Sequence, residues 1–423
     1  MAKPNLALIP ATIGDKVYSI LPSDGVGDFD FDRGTIATRI NAQGLIETVA
    51  SGENRLNYSL LDGEVVGCPH LLLENSATNL ITYSEDFSNS SWIKNQVVVN
   101  YNNIISPDGT QNASKITING STPYLETPLN ITLDNTYTIS CFVKKGTNKW
   151  VRLVYVSSGV TGAWFDLENN VVGTQSSNSI SASIENYGND WYRITNTITS
   201  HQASGNVFIG LSDADGGTSS TQVGNTVYVW GFQVEEQSFS TSYIKSNSGS
   251  PTTRAAETCD GSGNADTFND SEGVLMAEIS VFDNDTSNRD IYLSDGTANN
   301  RIRLRFNSSN NLDILLYNGS IQVSTTQVIS DATNFNKIAF KYKANDFALW
   351  VNGIEVFTEP SGTVCSGLND LSFWATYVSS NNFYGNTKQL QYFDSILDSE
   401  QLEQLTSWDS FRAMAEAQSY TIE

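Results

Sequence analysis

The sequence is short of the residues that most enzymes use for chemistry. It has two histidines, four cysteines and three methionines in 423 residues. His70 and His201 offer no zinc partner at ligand spacing, and Cys68, Cys141, Cys259 and Cys365 form no CxxC pair. His70 follows Pro69, and His201 sits in an SHQASGN loop, so each reads as a local hydrogen-bonding residue rather than a general base. There is no GxSxG elbow and no run of closely spaced carboxylates on one strand. No hydrolase activity and no cofactor are expected.

Positive charge is equally scarce. Lys and Arg number 23 against 46 Asp and Glu, a net charge of −23. Phosphate binding needs clustered cations, so nucleic acid is excluded as a partner, and an anionic membrane surface with it. Long hydrophobic runs are missing too. No stretch approaches a transmembrane span, and Pro4 and Pro10 break the one N-terminal apolar patch before it reaches signal-peptide length. The expectation is a chain made in a cytoplasm that reaches the outside only as part of a particle.

Two acidic turns invite a test for calcium. LSDADGGTSSTQVG supplies Asp213 and Asp215, but the twelfth position of an EF-hand loop falls on Gly224 instead of a bidentate Glu. VFDNDTSNRD supplies Asp283, Asp285 and Asp290. All five read as solvated turn residues, and no metal site is expected.

What is abundant points to β structure: 18 Tyr and 19 Phe, set among Thr, Ser, Asn and Gly. From Trp92 to Tyr243 short alternating runs recur, among them YTISCFV, WVRLVYV, DWYRITNTI and TVYVWGF. In DWYRITNTI, Tyr192, Ile194 and Ile198 share one face and Arg193, Thr195 and Thr197 the other, which predicts a half-buried strand. Cys141 shares a face with Tyr137, Ile139 and Val143 and reads as a buried thiol. WFDLENNVVGT predicts a hairpin turning at Asn169 and Asn170. A two-sheet sandwich over residues 91–257 follows, then a polar linker at 258–270.

A second sandwich is predicted over 271–412 from GVLMAEISVF, RIRLRF, LDILLY, NKIAFKYK and FALWVNGIEVF, with Asn352-Gly353 as the strongest hairpin signal. Trp350 points opposite Phe347, Leu349 and Val351 and is the best candidate for an exposed sugar platform. Arg301, Arg303 and Arg305 lie opposite Ile302, Leu304 and Phe306; they read as a plain solvent face that could also hold an anionic sugar or a neighbouring acidic surface. A short helix is expected after Ser399 as N-cap, with Leu402, Leu405 and Trp408 on one side, followed by a tail at 413–423.

The stretch before the first sandwich is different. Residues 31–90 are dense in opposite charges, with Arg33, Arg39 and Arg55 against Glu47, Glu53 and Glu74, and read as a linking collar. Residues 1–30 carry three prolines and no period. They are read as an extended attachment arm with Val17, Tyr18, Ile20 and Leu21 as docking residues. The alternative is an N-terminal strand folded back on its own domain.

The collar also carries a resemblance. ATRINAQGLIE, ENRLNY and LLLENSATNLITYSEDF, with WGFQVEEQSFSTSYIKSNSGSPTTRAAE at Trp230–Glu257, resemble a module of tailed-bacteriophage head-spike, head-fibre and tail-fibre proteins. The same resemblance implies a carbohydrate-binding-like jelly roll between the two motifs. KIAFKYKANDFALWVNGIEVF resembles the central hairpin of concanavalin A-like and laminin G-like sandwiches. Together they imply a structural protein of the virion surface, joined to other virion proteins through the arm and displaying sandwiches that bind host cell-surface glycan. A homotrimer is the usual state of such fibres, although no coiled-coil heptad is present to enforce one. The competing expectations are accessory modules of a bacterial polysaccharide-acting enzyme and a ligand-free architectural spacer.

Overall fold

The computed structural model describes residues 2–156, 160–375, 377, 381–408, 410 and 413, with side chains throughout except at 11–13 and 160. The tail at 413–423, apart from the backbone of residue 413, lies outside the described residues. The chain is all-β with one short helix.

The first sandwich faces two six-stranded antiparallel sheets against each other. One runs in the order Ile93–Asn95, Tyr124–Asn130, Ser204–Ser212, Trp150–Val156, Val160–Asp166, Val171–Gln175. The other runs Val97–Ile104, Ala113–Ile118, Thr226–Glu235, Thr136–Lys145, Trp191–Thr199, Ser179–Asn186. Alternation sends Tyr137, Ile139, Cys141, Ile194 and Ile198 into a common core with Trp92 and Phe232. The hairpin after Asp166 turns through Asn170 at φ +57°, a left-handed conformation that asparagine tolerates.

The second sandwich pairs a five-stranded sheet with an eight-stranded one. The smaller runs Ile321–Gln327, Leu312–Asn318, Asn300–Phe306, Arg289–Ser294, Asp370–Ser372. The larger runs Ile354–Glu359, Phe347–Val351, Asn336–Lys343, Glu272–Ser280, Gly385–Phe393, Glu64–Leu73, Arg55–Leu61, with Leu6–Leu8 also paired to Gly385–Phe393. Val351 pairs with Ile354 across Asn352 (φ +50°) and Gly353 (φ +86°), the two-residue turn that Asn-Gly favours.

Four expectations are corrected here. Residues 1–30 are not an extended arm. Leu6 pairs with Tyr392, and Val17, Phe29 and Phe31 are buried in the second sandwich's core beside Phe373. Strands at Ala11–Ile13, Lys16–Tyr18, Phe29–Asp32 and Thr258–Asp260 form a small sheet against that core. Val17 is therefore unavailable for docking, Leu21 bridges to Ala7, and of the four proposed docking residues Tyr18 and Ile20 remain exposed. The folded-back alternative is what is found.

Trp350 is not a platform either. It is 6% exposed, because Leu397, Leu402 and Leu405 cover it from the helix side. Alternation correctly put Trp350 opposite the core but could not see a second buried layer beyond the sheet. That helix, Ser399–Thr406, is capped by Asp398 rather than Ser399: Asp398 accepts from the Gln401 N–H while the Gln401 side chain returns to the Asp398 N–H.

The collar does not stand between two sandwiches in series. Its strands Arg55–Leu61 and Glu64–Leu73 extend the eight-stranded sheet of the second sandwich. The first sandwich is thus inserted into the second, and Ala77–Asn79 pairs with Thr252–Arg254 where the chain leaves and returns. A buried ionic knot closes this neck. Glu257 accepts from Arg33 Nη1 at 2.6 Å and Arg55 Nε at 2.8 Å, and Glu74 from Arg55 Nη1 at 2.7 Å and Arg254 Nη1 at 2.8 Å. Arg55–Glu74 and Arg39–Glu47 pair as expected, but Arg33 finds Glu257 far along the chain, and Glu53 makes no ion pair among the described residues.

Candidate anion-binding face

The five-stranded sheet turns Ile291, Leu293, Ile302, Leu304, Phe306, Leu312, Ile314 and Leu316 inward. Its strands alternate strictly, so the residues between them make a continuous outer face. Register arranges that face in rows across the sheet. Asp290, Arg305 and Asp313 form one row, Tyr292, Arg303 and Leu315 the next, and Ser294, Arg301 and Tyr317 the third. Ser372 and Asp370 extend the last two rows on the Tyr292 and Ser294 side.

The arginines are not equivalent. Arg305 holds Asp290 with two bonds, Nε to Oδ1 at 2.5 Å and Nη2 to Oδ2 at 2.6 Å. The Tyr292 hydroxyl donates to the same carboxylate. Arg301 lies over the Tyr317 ring, its guanidinium carbon 4.9 Å from the centroid, a cation–π arrangement. Arg303, at the centre, has no carboxylate within ion-pair distance, and its buried Nε has no partner among the described residues. Its pKa is lowered, first by burial and then by the neighbouring Arg305 charge, against a smaller opposing pull from Asp290. The Arg301 Nε is likewise unpartnered.

Aromatic rings wall this centre. Tyr292 and Tyr377 meet edge-on with centroids 6.3 Å apart, and the hydroxyls of Tyr377 and Ser294 are bonded. Burial raises the Tyr377 pKa to about 12, so its hydroxyl stays protonated and able to donate. The combination is a half-buried cation whose Nε is shut away without a partner among the described residues, set beside the buried Tyr292 and the half-buried Tyr377. It suits a carboxylate carried on a ring.

The arginine stripe was visible in the sequence, but the expectation of a plain solvent face is not met, since all three arginines are half-buried. Tyr292 and Tyr317 were missed, and Asp290, read as a solvated turn residue, is instead a buried strand residue paired with Arg305. The alternation of Asp290, Tyr292 and Ser294 against Ile291 and Leu293 was a usable signal; the cross-strand register that sets Tyr292 beside Arg303 was not.

The other four acidic candidates are engaged elsewhere. Asp213 accepts from Ser220 Oγ at 2.5 Å and Thr221 N–H at 2.7 Å, and Asp215 from the Thr174 N–H at 2.7 Å. Asp283 accepts from Ser238 of the first sandwich at 2.7 Å, and Asp285 pairs with Arg289. Among the described residues no three His, Cys, Asp or Glu side chains gather as a metal site would require.

No family model matches the sequence, and no curated protein does. Solved structures with a related shape are distant. The CBM40 module of the Ruminococcus gnavus IT-sialidase, bound to α2,3-sialyllactose, is 14% identical and covers 34% of this chain and 92% of its own, with a TM-score of 0.30. Domain 4 of the Geobacillus stearothermophilus arabinanase AbnA, in complex with arabinotriose, is 10% identical over 36% of this chain and 73% of its own, with a TM-score of 0.26. Domains LG4-5 of the mouse laminin α1 chain are 10% identical over 64% of this chain and 85% of their own, with a TM-score of 0.24.

Proposed function

We propose that the protein is a non-catalytic glycan-binding protein that holds a carboxylated sugar on the outer face of the five-stranded sheet, and that it is displayed on a tailed-phage virion. The observation that carries the first part is Arg303, a half-buried guanidinium with an unpartnered Nε between Tyr292 and Leu315 in a chain of net charge −23. A sugar carboxylate on the exposed part of the Arg303 guanidinium would offset the Arg305 charge, while the sugar ring stacks on tyrosine. The virion setting rests on the resemblance of the collar and of Trp230–Glu257 to phage fibre and spike modules.

The test is calorimetry of the full chain with sialylated and uronic-acid oligosaccharides and with their uncharged counterparts. Hydrogen bonds to charged groups contribute about 1.5–3 kcal/mol, so Arg303→Ala is expected to weaken binding by about 10- to 100-fold. Arg303→Lys should recover part of it. Equal affinity for charged and uncharged sugars would overturn the assignment, and binding of neither would favour a spacer. Release of reducing ends from the polysaccharide would contradict the non-catalytic reading. Antibody labelling of purified virions tests the placement.

A further inference from the structure

A second feature lies away from the arginine face. Where the first sandwich is inserted, its outer surface does not close fully on the collar and the second sandwich. A cleft of about 1230 Å³ remains, lined by all three. Tyr187 stands on the first-sandwich wall, Tyr58 on the collar wall and Phe335 on the second-sandwich wall, each half-buried. Amide side chains of Asn57, Asn186 and Asn386 sit among them.

Braces hold the cleft open at a fixed width. At one rim two glycines touch: a Cβ on Gly63 would meet the Gly188 nitrogen at 2.6 Å, and one on Gly188 would meet the Gly63 oxygen at 2.6 Å. Both have positive φ, +84° and +77°, which glycine adopts without strain. Elsewhere Phe239 of the first sandwich stacks on Phe282 of the second at 5.7 Å, beside the Ser238–Asp283 bond. The gap is a built space between fixed walls rather than slack between tethered domains.

Carboxylates outnumber guanidiniums in its lining, Asp62, Glu74 and Glu185 against Arg39 and Arg193, so its charge favours no anion. Arg39 is paired to Glu47, and Arg193 donates to Thr241 O at 2.8 Å and Ser140 Oγ at 3.1 Å. Glu74 is consumed by the knot, while Asp62 and Glu185 are exposed carboxylates that repel anions. Arg39 makes a single contact with Glu47 at 3.4 Å, and the neutral capacity lies in the Asn186 amide nitrogen, which donates no hydrogen bond among the described residues, though its oxygen accepts from Gly188 N–H at 2.9 Å. Lys388 lies 4.0 Å over the Phe335 ring, and Asn57 and Asn386 are bonded to Ile40 N–H and Ser280 Oγ, so the faces left are Tyr58 and Tyr187 on separate walls with the Asn186 amide beside them, which match the alternating apolar faces and hydroxyl edges of a sugar chain. Pockets for single small ligands run to about 1,000 Å³, so this cleft suits a ligand of several units.

We infer that the cleft between the sandwiches binds an uncharged oligosaccharide of several residues, at a site separate from the arginine face. Bound there, the chain would touch the first sandwich, the collar and the second sandwich at once.

The experiment uses the full chain and four probes: β1,4-linked tetrasaccharides of glucose, N-acetylglucosamine, mannose and xylose. Saturation-transfer NMR and calorimetry should find at least one that binds with Kd below about 1 mM. Tyr58→Ala and Tyr187→Ala should each weaken it about tenfold, Tyr58→Phe should not, and Arg303→Ala should leave it unchanged. The bound probe should also slow amide hydrogen exchange at 57–62 and 186–187 in the unmodified chain, a reading that needs no variant. Absence of binding by all four probes overturns the inference. So does binding without that protection, or binding abolished by Arg303→Ala.

Discussion

Two carboxylates and three guanidiniums at the neck, all buried, set the sharpest expectations for single residues. Breaking a buried pair leaves an uncompensated charge and costs about 3–5 kcal/mol. Glu257 serves Arg33, Arg55 and the Glu74 N–H together, so Glu257→Gln is expected to lower unfolding free energy by that amount in urea titration. A loss below about 1 kcal/mol would mean the knot adds little beyond packing. The knot also shapes the acid limb. Burial works to raise the Glu74 pKa, but Arg254, Arg55 and the Ser242 bonds prevail and hold it at about 2. Burial, helped by the Lys388 charge, pushes His70 down to about 3. Both folded values lie below their unfolded ones, so both groups contribute stability above those unfolded values and lose it as pH falls. His70 acts between about pH 6.5 and 3, Glu74 between about 4.5 and 2. Stability should therefore decline from near pH 6.5 downward, and His70→Gln should flatten the upper part of that decline in denaturation series. The sequence revealed that the collar was ionic. It could not reveal Glu257 as the hub, because a carboxylate 202 residues from Arg55 carries no local sign of its partner.

At the scale of the element, the strands with long, clean alternation were legible and the short ones were not. Arg301–Arg305, Tyr137–Val143 and the Asn352-Gly353 hairpin are read directly from residue period and turn chemistry. Leu6–Leu8, Ala11–Ile13 and Lys16–Tyr18 have three residues each, too few for a period to show. They are ordered by partners supplied from elsewhere. Removing residues 1–30 should accordingly damage the second sandwich and spare the first. Leu6, Leu8, Val17 and Phe29 are fully buried, and at about 1.5–3 kcal/mol each their loss rivals the whole stability of a domain. Calorimetry of the truncated chain should keep one cooperative transition and lose the other. Two unchanged transitions would show that the N-terminal strands are dispensable. A fragment starting at Asp266 lacks these strands and the collar pair Arg55–Leu61 and Glu64–Leu73, and is expected not to unfold cooperatively.

The whole molecule is one sandwich carrying another on a two-strand neck. All strands of the inserted sandwich lie between Ile93 and Glu235, and among the described residues its core draws on no side chain from beyond residues 80–234. A fragment of residues 77–254, keeping the neck pair, should fold alone; failure to give a cooperative melt would mean that the collar side chain Ile46, which packs on its outer face with Trp230 and Tyr243, is needed. Sequence periodicity located both sandwiches but ordered them in series. Insertion is a property of pairing between distant segments, and nothing in a local window distinguishes the two.

The pairing of Leu6 with Tyr392 has a consequence for synthesis. A ribosome delivers the N-terminal strands first and their partner last. At 5–20 residues per second the interval is about 20–80 s. The inserted sandwich can close during that time, but Leu8, Val17 and Phe29 have no core to enter until Gly385–Phe393 emerges. The start of the chain is therefore expected to stay exposed, and open to chaperones, until synthesis is nearly complete. Slowing elongation in the last third of the message should lower the soluble yield of the full chain, while leaving the yield of fragment 77–254 untouched.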